Sequence, residues 1–227
     1  HVSPSGGGLL TRYGKELSAE LLSVKSEEGE AQFLRGIVPL PETVDAGGGV
    51  KLLGYYSDQP RFIDKRIVLM QADAQASWKY TPALSFSATG GVYGKEADLR
   101  AAYALYQAND SVSVRAGKFS SAYGLNLPEH SVATRDGLGF SSAESSLNVE
   151  LAQQSETRSD FLTVVLAQGA EGPGSESGLA LREEFHIAKQ HQFGLSYYFG
   201  KKNAYSRNVV GPFAVVSFGK ELSWLAE

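Results

Sequence analysis

The stretch from Asp64 to Tyr80, which reads DKRIVLMQADAQASWKY, decides the fold. Its even-numbered positions from Val68 to Tyr80 are apolar or aromatic, and its odd-numbered positions from Gln71 to Lys79 are polar or charged. Because successive side chains of a β-strand point to opposite faces, this pattern predicts a strand with one apolar and one polar face. A strand of a globular domain usually has about 5–6 residues, whereas a membrane strand needs about 9–11. The length of this stretch therefore favours the wall of a transmembrane β-barrel.

The same alternation recurs along most of the chain. We expect further strands at 17–21, 50–56, 84–93, 99–107, 111–119, 147–151, 161–167, 179–187, 192–199 and from Phe213 to the end. In the strand at 99–107 we expect Leu99, Ala101, Tyr103 and Leu105 on the apolar side. Short turns between neighbours are typical of an antiparallel meander. The sequence thus predicts an all-β fold, an antiparallel up-and-down transmembrane β-barrel of about 10–12 strands that is incomplete at its C-terminus.

A single barrel domain is expected to span residues 1–227. Residues 1–10, with the run Gly6-Gly7-Gly8, are predicted to be a flexible N-terminal segment. Long loops are predicted at about 27–49 and about 120–146, and an exposed turn at 171–178, because proline and glycine interrupt the alternation there. No signal peptide is visible before His1, so we expect the numbering to start after a cleavage or within a longer chain.

Composition narrows the classes of function. The chain has 227 residues and no cysteine, which excludes disulfides and thiolate metal sites. The net charge of −4 gives no support for a nucleic-acid partner. The mean hydropathy is −0.19, and no apolar run approaches the about 18–20 residues of a membrane-spanning helix.

Alternation alone does not show which face points outward. A soluble ligand-binding β-domain would turn its apolar face inward, and this alternative stays open. Aromatic residues near strand ends favour lipid, because their rings prefer the membrane–water interface. The residues expected in such an aromatic girdle are Trp78, Tyr80, Tyr197, Phe199 and Trp224. The charges expected to face the lumen, where they would form ion pairs, are Glu20, Asp73, Glu150, Arg182 and Glu184.

The segment Val114 to His130, VRAGKFSSAYGLNLPEH, resembles a pattern of outer-membrane porins of the phosphate-selective and related anion-porin group. In that pattern a strand ending in Gly-(Arg/Lys)-Phe leads into a loop with an aromatic-Gly pair, then a proline and an acidic residue. The resemblance implies a loop that folds inward and narrows the pore. The residues it would place at the constriction are Arg115, Lys118, Glu129, His130, Arg135 and Asp136. The alternative is that these residues belong to an ordinary extracellular loop.

No pattern of an enzyme, a metal site or a cofactor site stands out. His186 and His191 are an odd number of residues apart, so they would lie on opposite faces of one strand. We therefore expect a non-enzymatic protein of the Gram-negative outer membrane, a porin-like channel for small polar solutes. The alternatives are a structural barrel that anchors an envelope partner complex, and the soluble ligand-binding domain. The partners expected are the lipid bilayer with its lipopolysaccharide and either another envelope protein or a second copy of the chain.

Overall fold

A computed structural model describes residues 39–59, 62–93, 96–125, 138, 140, 145–168, 176–187, 191–218 and 222–226. Within these ranges the chain forms strands and turns. No helix there is long and apolar enough to cross a membrane. The strands are β1 (Val44–Gln59), β2 (Phe62–Lys79), β3 (Leu84–Tyr93), β4 (Glu96–Gln107), β5 (Val112–Phe119), β6 (Ser146–Gln154), β7 (Arg158–Gln168), β8 (Glu176–Ile187), β9 (His191–Lys202), β10 (Tyr205–Phe218) and β11 (Leu222–Ala226).

These eleven strands form one sheet in which each strand pairs with its neighbours in the sequence. Every pairing is antiparallel, from β1 with β2 to β10 with β11. The predicted all-β, antiparallel up-and-down topology is thus confirmed. In the described part of the chain the sheet is not closed, and β1 and β11 are its two edges.

The two faces of the sheet differ in burial, as β6 shows. Ser146, Asn148 and Glu150 are buried, whereas the alternating Leu147 and Val149 are exposed. We call the face with buried side chains the inner face and the opposite one the outer face. Polar and charged residues are thus enclosed while large aliphatic residues face outward, the reverse of the arrangement in a water-soluble domain.

The strands are also staggered. Directly paired outer-face residues form the line Trp78, Phe86, Ala104, Ala116, Val149, Val164, Leu179 and Phe199. This line starts one residue before the end of β2, beside the connection to β3, and reaches β9 near the opposite end of the sheet. Stagger of this kind tilts the strands, which a sheet requires in order to curl into a barrel.

Connections of different length lie at the two ends of the sheet. One end, the turn rim, carries the short connections after β2, β4, β6, β8 and β10. The other end, the loop rim, carries two-residue connections after β1, β3 and β9 together with the two longest intervals, 120–145 and 169–175. The predicted turn at 171–178 is too long at its end, because β8 begins at Glu176.

Two predicted boundaries are wrong for physical reasons. The loop predicted at 27–49 ends before Val44, because residues 44–49 belong to β1 and its glycines pair with β2 at Asp73 to Gln75. Glycine has no side chain that could show the alternation, so the sequence pattern did not indicate this part of the strand.

The strand predicted from Phe213 onward is a hairpin of β10 and β11. Phe218 and Leu222 are directly opposite each other, so the apolar phase continues unchanged through the turn.

The predicted apolar side of β4 is also wrong in part. Ala101 and Tyr103 are buried on the inner face, whereas Leu99 is exposed. The register between β3 and β4 shifts after Thr89, so that Arg100 has no directly paired residue. Such a β-bulge changes the phase of the side chains, which explains why Leu99 and Ala101 do not share a face.

The predicted flexible segment 1–10 and the predicted strand at 17–21 lie outside the described residues.

Candidate functional site

A buried ion pair joins β5 to β6 on the inner face. Arg115 and Glu150 are directly opposite each other, and Arg115 Nη2 lies 2.9 Å from Glu150 Oε1. Thr163 of β7 donates its hydroxyl to the second carboxylate oxygen at 3.1 Å. The guanidinium also lies over the Phe119 ring at 3.8 Å. Both charged side chains are nearly inaccessible to solvent, at 5% and 4%, so the pair depends on these neighbours for its stability.

A second buried network lies on β8. The guanidinium of Arg182 pairs with Glu184 and covers the ring of Phe213 on β10 at 4.6 Å. Gln192 of β9 donates to the other carboxylate oxygen of Glu184 at 2.6 Å. Side chains of the next two strands, β9 and β10, therefore contact this charge pair on the inner face.

The segment that follows β5 folds onto the inner face. Residues 120–125 are all buried, and the Gly124 amide donates to Ser196 Oγ of β9 at 2.9 Å. The Tyr123 ring stacks on Phe140 with a centroid distance of 4.2 Å, and Phe140 in turn meets Tyr198 edge to face at 4.9 Å. The described part of this segment thus reaches from β5 to β9.

Arg207 of β10 holds the returning part of the same segment. Its Nη1 donates to the carbonyl oxygen of Leu138 at 2.6 Å, and its Nε donates to Glu176 of β8 at 2.8 Å. The guanidinium lies over the rings of Phe140 and Tyr198 at 5.2 and 5.0 Å. Residues 120–125, Leu138 and Phe140, which we call the inner segment, are therefore fixed to the wall by hydrogen bonds and aromatic contacts.

The side of the inner face formed by β2 and β3 is different. A row of polar side chains there is half-buried, and we call it the polar strip; its members are Gln71, Asp73, Gln75, Ser87 and Thr89. Gly47 and Gly49 of β1 are paired with Gln75 and Asp73. Because glycine has no side chain, Gln75 Nε2 and Asp73 Oδ1 lie within 3.1 and 3.4 Å of where a Cβ of Gly47 and of Gly49 would be.

The predicted site residues are distributed over these features. Glu150, Arg182 and Glu184 are buried on the inner face and Asp73 is half-buried there, where a hydrogen bond from Gln71 reaches it. Arg115 pairs with the wall residue Glu150, whereas Lys118 pairs with Asp98 of β4 at 3.2 Å and is about one third exposed. The other predicted residues, Glu20, Glu129, His130, Arg135 and Asp136, lie outside the described residues.

The predicted girdle aromatics all lie on the outer face. Trp78 stacks on Phe86 at 5.8 Å and meets Tyr80 edge to face at 5.4 Å, at the turn rim. Trp224 is 55% exposed near the same rim. Tyr197 and Phe199 lie in the part of β9 nearer the loop rim. Outer aliphatic residues occupy the intervening strand segments, and each is more than a third exposed: Leu147, Val149, Leu151, Leu162, Val164, Leu166, Leu181, Leu195 and Val210.

The contact between Ser159 and His186 raises the question whether these residues form a catalytic triad with Glu184. Ser159 Oγ lies 3.2 Å from His186 Nε2, and Glu184 Oε2 lies 3.7 Å from the same nitrogen. A catalytic triad needs the acid on Nδ1, so that Nε2 is left to the serine. This set therefore lacks the geometry of a triad. Among the described residues, no group of three or more His, Asp or Glu side chains is arranged to hold a metal ion.

The sequence did not single out Tyr198, Arg207 or Glu176. Tyr198 is completely buried between Ser196 and Gly200 on the inner face of β9. The sequence does contain an indication of this role, because Tyr198 is a large aromatic residue among the small residues Ser196 and Gly200 on the same face of the strand. Arg207 had no such signal, because its strand was predicted to begin at Phe213.

No family model and no curated protein matches this sequence.

Proposed function

We propose that this chain is a β-barrel protein of the bacterial outer membrane whose outer face contacts lipid. The observation that carries the proposal is the opposite burial of adjacent residues. Glu150 is 3% exposed, whereas its neighbour Leu151 is 46% exposed. A water-soluble sheet would gain free energy from the reverse arrangement, since burial of an apolar side chain contributes about 1.5–3 kcal/mol.

The continuity of the exposed apolar surface across neighbouring strands supports the same proposal. The outer aliphatic residues of β6 and β7 are directly paired, for example Leu151 with Leu162, and the row continues through Leu181 of β8. Soluble monomers rarely expose a contiguous apolar patch larger than about 300–600 Å². Acyl chains would cover this surface without any further protein partner.

The outer aromatic residues fit the two boundaries of a bilayer. Trp78, Tyr80 and Trp224 lie at the turn rim, and Phe199, which is 41% exposed, lies in the part of β9 nearer the loop rim. Amphipathic rings favour the level of the lipid headgroups. Lipid and lipopolysaccharide are accordingly the proposed partners of the outer face.

Within the barrel, we assign a porin-like passage for small polar solutes to the side of β1–β3. The inner segment and the buried ion pairs fill the side of β5–β10, whereas the polar strip is only half-buried. Gly47 and Gly49 of the paired strand add no side chain beside it. A solute that follows this route would pass the carboxylate of Asp73, which favours cations by its charge.

Two experiments test the proposal in sequence. Membrane fractionation comes first, and recovery of the folded protein in the aqueous phase would refute the membrane barrel. The purified protein is then inserted into planar bilayers, where we expect an ionic current. Asp73→Lys is expected to shift the reversal potential towards anion selectivity, whereas Glu156→Lys, in the exposed turn between β6 and β7, is the matched control. Equal shifts in both variants would contradict a passage along the polar strip.

The filled half of the interior favours a second candidate, a structural barrel that anchors an envelope partner. A barrel without a continuous passage would carry no current in the same bilayers. It would instead co-purify with a defined partner after gentle detergent extraction. A current together with isolation as a single chain would exclude this candidate.

A further inference from the structure

The outer side chains of β9 change in character from one end of the strand to the other. His191 begins the strand at the turn rim, and Lys201 is its last outer residue at the loop rim. The outer positions between them are all apolar or aromatic: Phe193, Leu195, Tyr197 and Phe199. The ten residue steps from His191 to Lys201 span about 33–34 Å along a strand. At the tilt of about 35–45° of a membrane barrel this is about 23–28 Å across the bilayer, which matches the apolar band of about 25 Å.

Lys201 lies between two serines at the loop rim. Its direct partners are Ser177 of β8 and Ser206 of β10, and all three residues are exposed on the outer face. Directly opposite residues of antiparallel strands have Cβ atoms about 4.5–5.5 Å apart. The ammonium group of lysine is a compact charge with three donors, and a serine hydroxyl can donate one hydrogen bond. A phosphate group bound by Lys201 is therefore within reach of a serine hydroxyl as well.

The next row of outer residues indicates the depth of Lys201 in a bilayer. Leu179, Phe199 and Asn208 form this row, and Tyr197 donates its hydroxyl to Asn208 at 2.7 Å. Aromatic rings favour the membrane–water interface, and lysine extends its charged group beyond it into the headgroup region. Lys201, one row farther out, thus lies at the level of the lipid phosphates and not of the acyl chains.

The charges at the turn rim of the same outer surface have the opposite balance. Arg158 of β7 pairs with Asp160 at 2.9 Å and with Glu183 of β8 at 2.8 Å. One guanidinium is thus shared by two carboxylates, which leaves this group acidic. The row of Lys201 is basic. The two rims therefore differ in the headgroup charge that they favour, and an anionic headgroup fits the loop rim.

We propose that Lys201, together with Ser177 and Ser206, binds a phosphate group of lipid A, the membrane anchor of lipopolysaccharide. The longer loops of outer-membrane barrels face the exterior, and the exterior leaflet is the one that contains lipopolysaccharide. The inference rests on the membrane barrel of the proposed function, for which it names a lipid contact, and it does not require channel activity.

Titration with defined lipids tests the proposal. The barrel is extracted from membranes into a non-ionic detergent, and its binding of lipid A and of dephosphorylated lipid A is measured by native mass spectrometry. Lys201→Gln should weaken the binding of lipid A about fivefold, which is the effect of one basic residue near an anionic membrane surface. It should leave the binding of the dephosphorylated lipid unchanged. Replacement of both Ser177 and Ser206 by alanine should likewise weaken the binding of lipid A only.

Lys202→Gln is the matched control, because it removes the same charge from the next residue, which the alternation of β9 places on the inner face. Tryptophan fluorescence checks that each variant is folded. Three results would overturn the assignment: equal losses in Lys201→Gln and Lys202→Gln, equal affinity of the unmodified barrel for both forms of lipid A, or a Lys201 effect on phosphatidylglycerol that is absent with lipid A. None of them would contradict the membrane barrel, which fractionation tests separately.

Discussion

Replacement of Arg115 by methionine tests whether the inner face is dry. The substitution keeps much of the side-chain volume but removes the guanidinium that pairs with Glu150, whereas the Thr163 hydroxyl still donates to this carboxylate. Removal of one member of a buried ion pair costs about 3–5 kcal/mol, because a charge stays buried without compensation. We expect a loss of this size in the free energy of unfolding, or roughly a hundredfold or more in the folding equilibrium.

The same strand supplies the control. Lys118 pairs with Asp98 at 3.2 Å, but these side chains are 36% and 42% exposed. An exposed pair contributes only about 0–1 kcal/mol, so Lys118→Met should have little effect. Replacement of both Arg115 and Glu150 by methionine should restore most of the stability, because no unpaired charge then remains.

Unfolding by urea is measured with protein folded into lipid vesicles, with the fluorescence of its two tryptophans as the signal. The reasoning would be refuted if Arg115→Met costs no more than Lys118→Met. Water would then reach Glu150, and a passage on the β5–β6 side would replace the one assigned to the polar strip. A double variant as unstable as Arg115→Met would likewise contradict the electrostatic explanation.

Two further substitutions examine the outer face and the backbone. Leu151→Arg should lower stability in vesicles by about 2–4 kcal/mol if the residue lies near the bilayer midplane. Ser206→Arg, at an exposed outer-face position at the loop rim, should cost about 0–1 kcal/mol. Equal losses in vesicle unfolding would argue against lipid contact. Gly117 has a φ of 141°, and a Cβ there would collide with the carbonyl oxygen of Ala102. Gly117→Ala should therefore cost about 1–3 kcal/mol, whereas Gly54→Ala, which has no atom within 4 Å of its added Cβ, should stay within about 0.5 kcal/mol in the same assay. A small loss for Gly117→Ala would mean that β4 and β5 can separate at this point.

The candidate site was predictable in part. Asp73, Glu150, Arg182 and Glu184 were expected on the polar face, because each lies in phase with other polar residues of its strand, and the structure places them there. Their partners were not predictable. The contact between Arg115 and Glu150 joins residues 35 positions apart, and it depends on the register between β5 and β6. Arg207 and Tyr198 gain their roles from the inner segment, which folds back over three strands.

By itself, the sequence determined the strand character of the chain and the antiparallel meander, because alternation with period two is a local property of neighbouring side chains. It also separated the apolar from the polar residues of most strands. Only the tertiary structure decided which face is enclosed, since this depends on the direction in which the whole sheet curves. Tertiary pairing likewise made Gly47 to Gly49 part of β1, moved the phase of β4 at Arg100, and divided the last predicted strand at Phe218. In each of these cases the pairing with a neighbouring strand decided the structure. The glycines of β1 have no side chains that could show the alternation, whereas the apolar alternation in the sequence continues without interruption through the bulge at Arg100 and through the turn after Phe218.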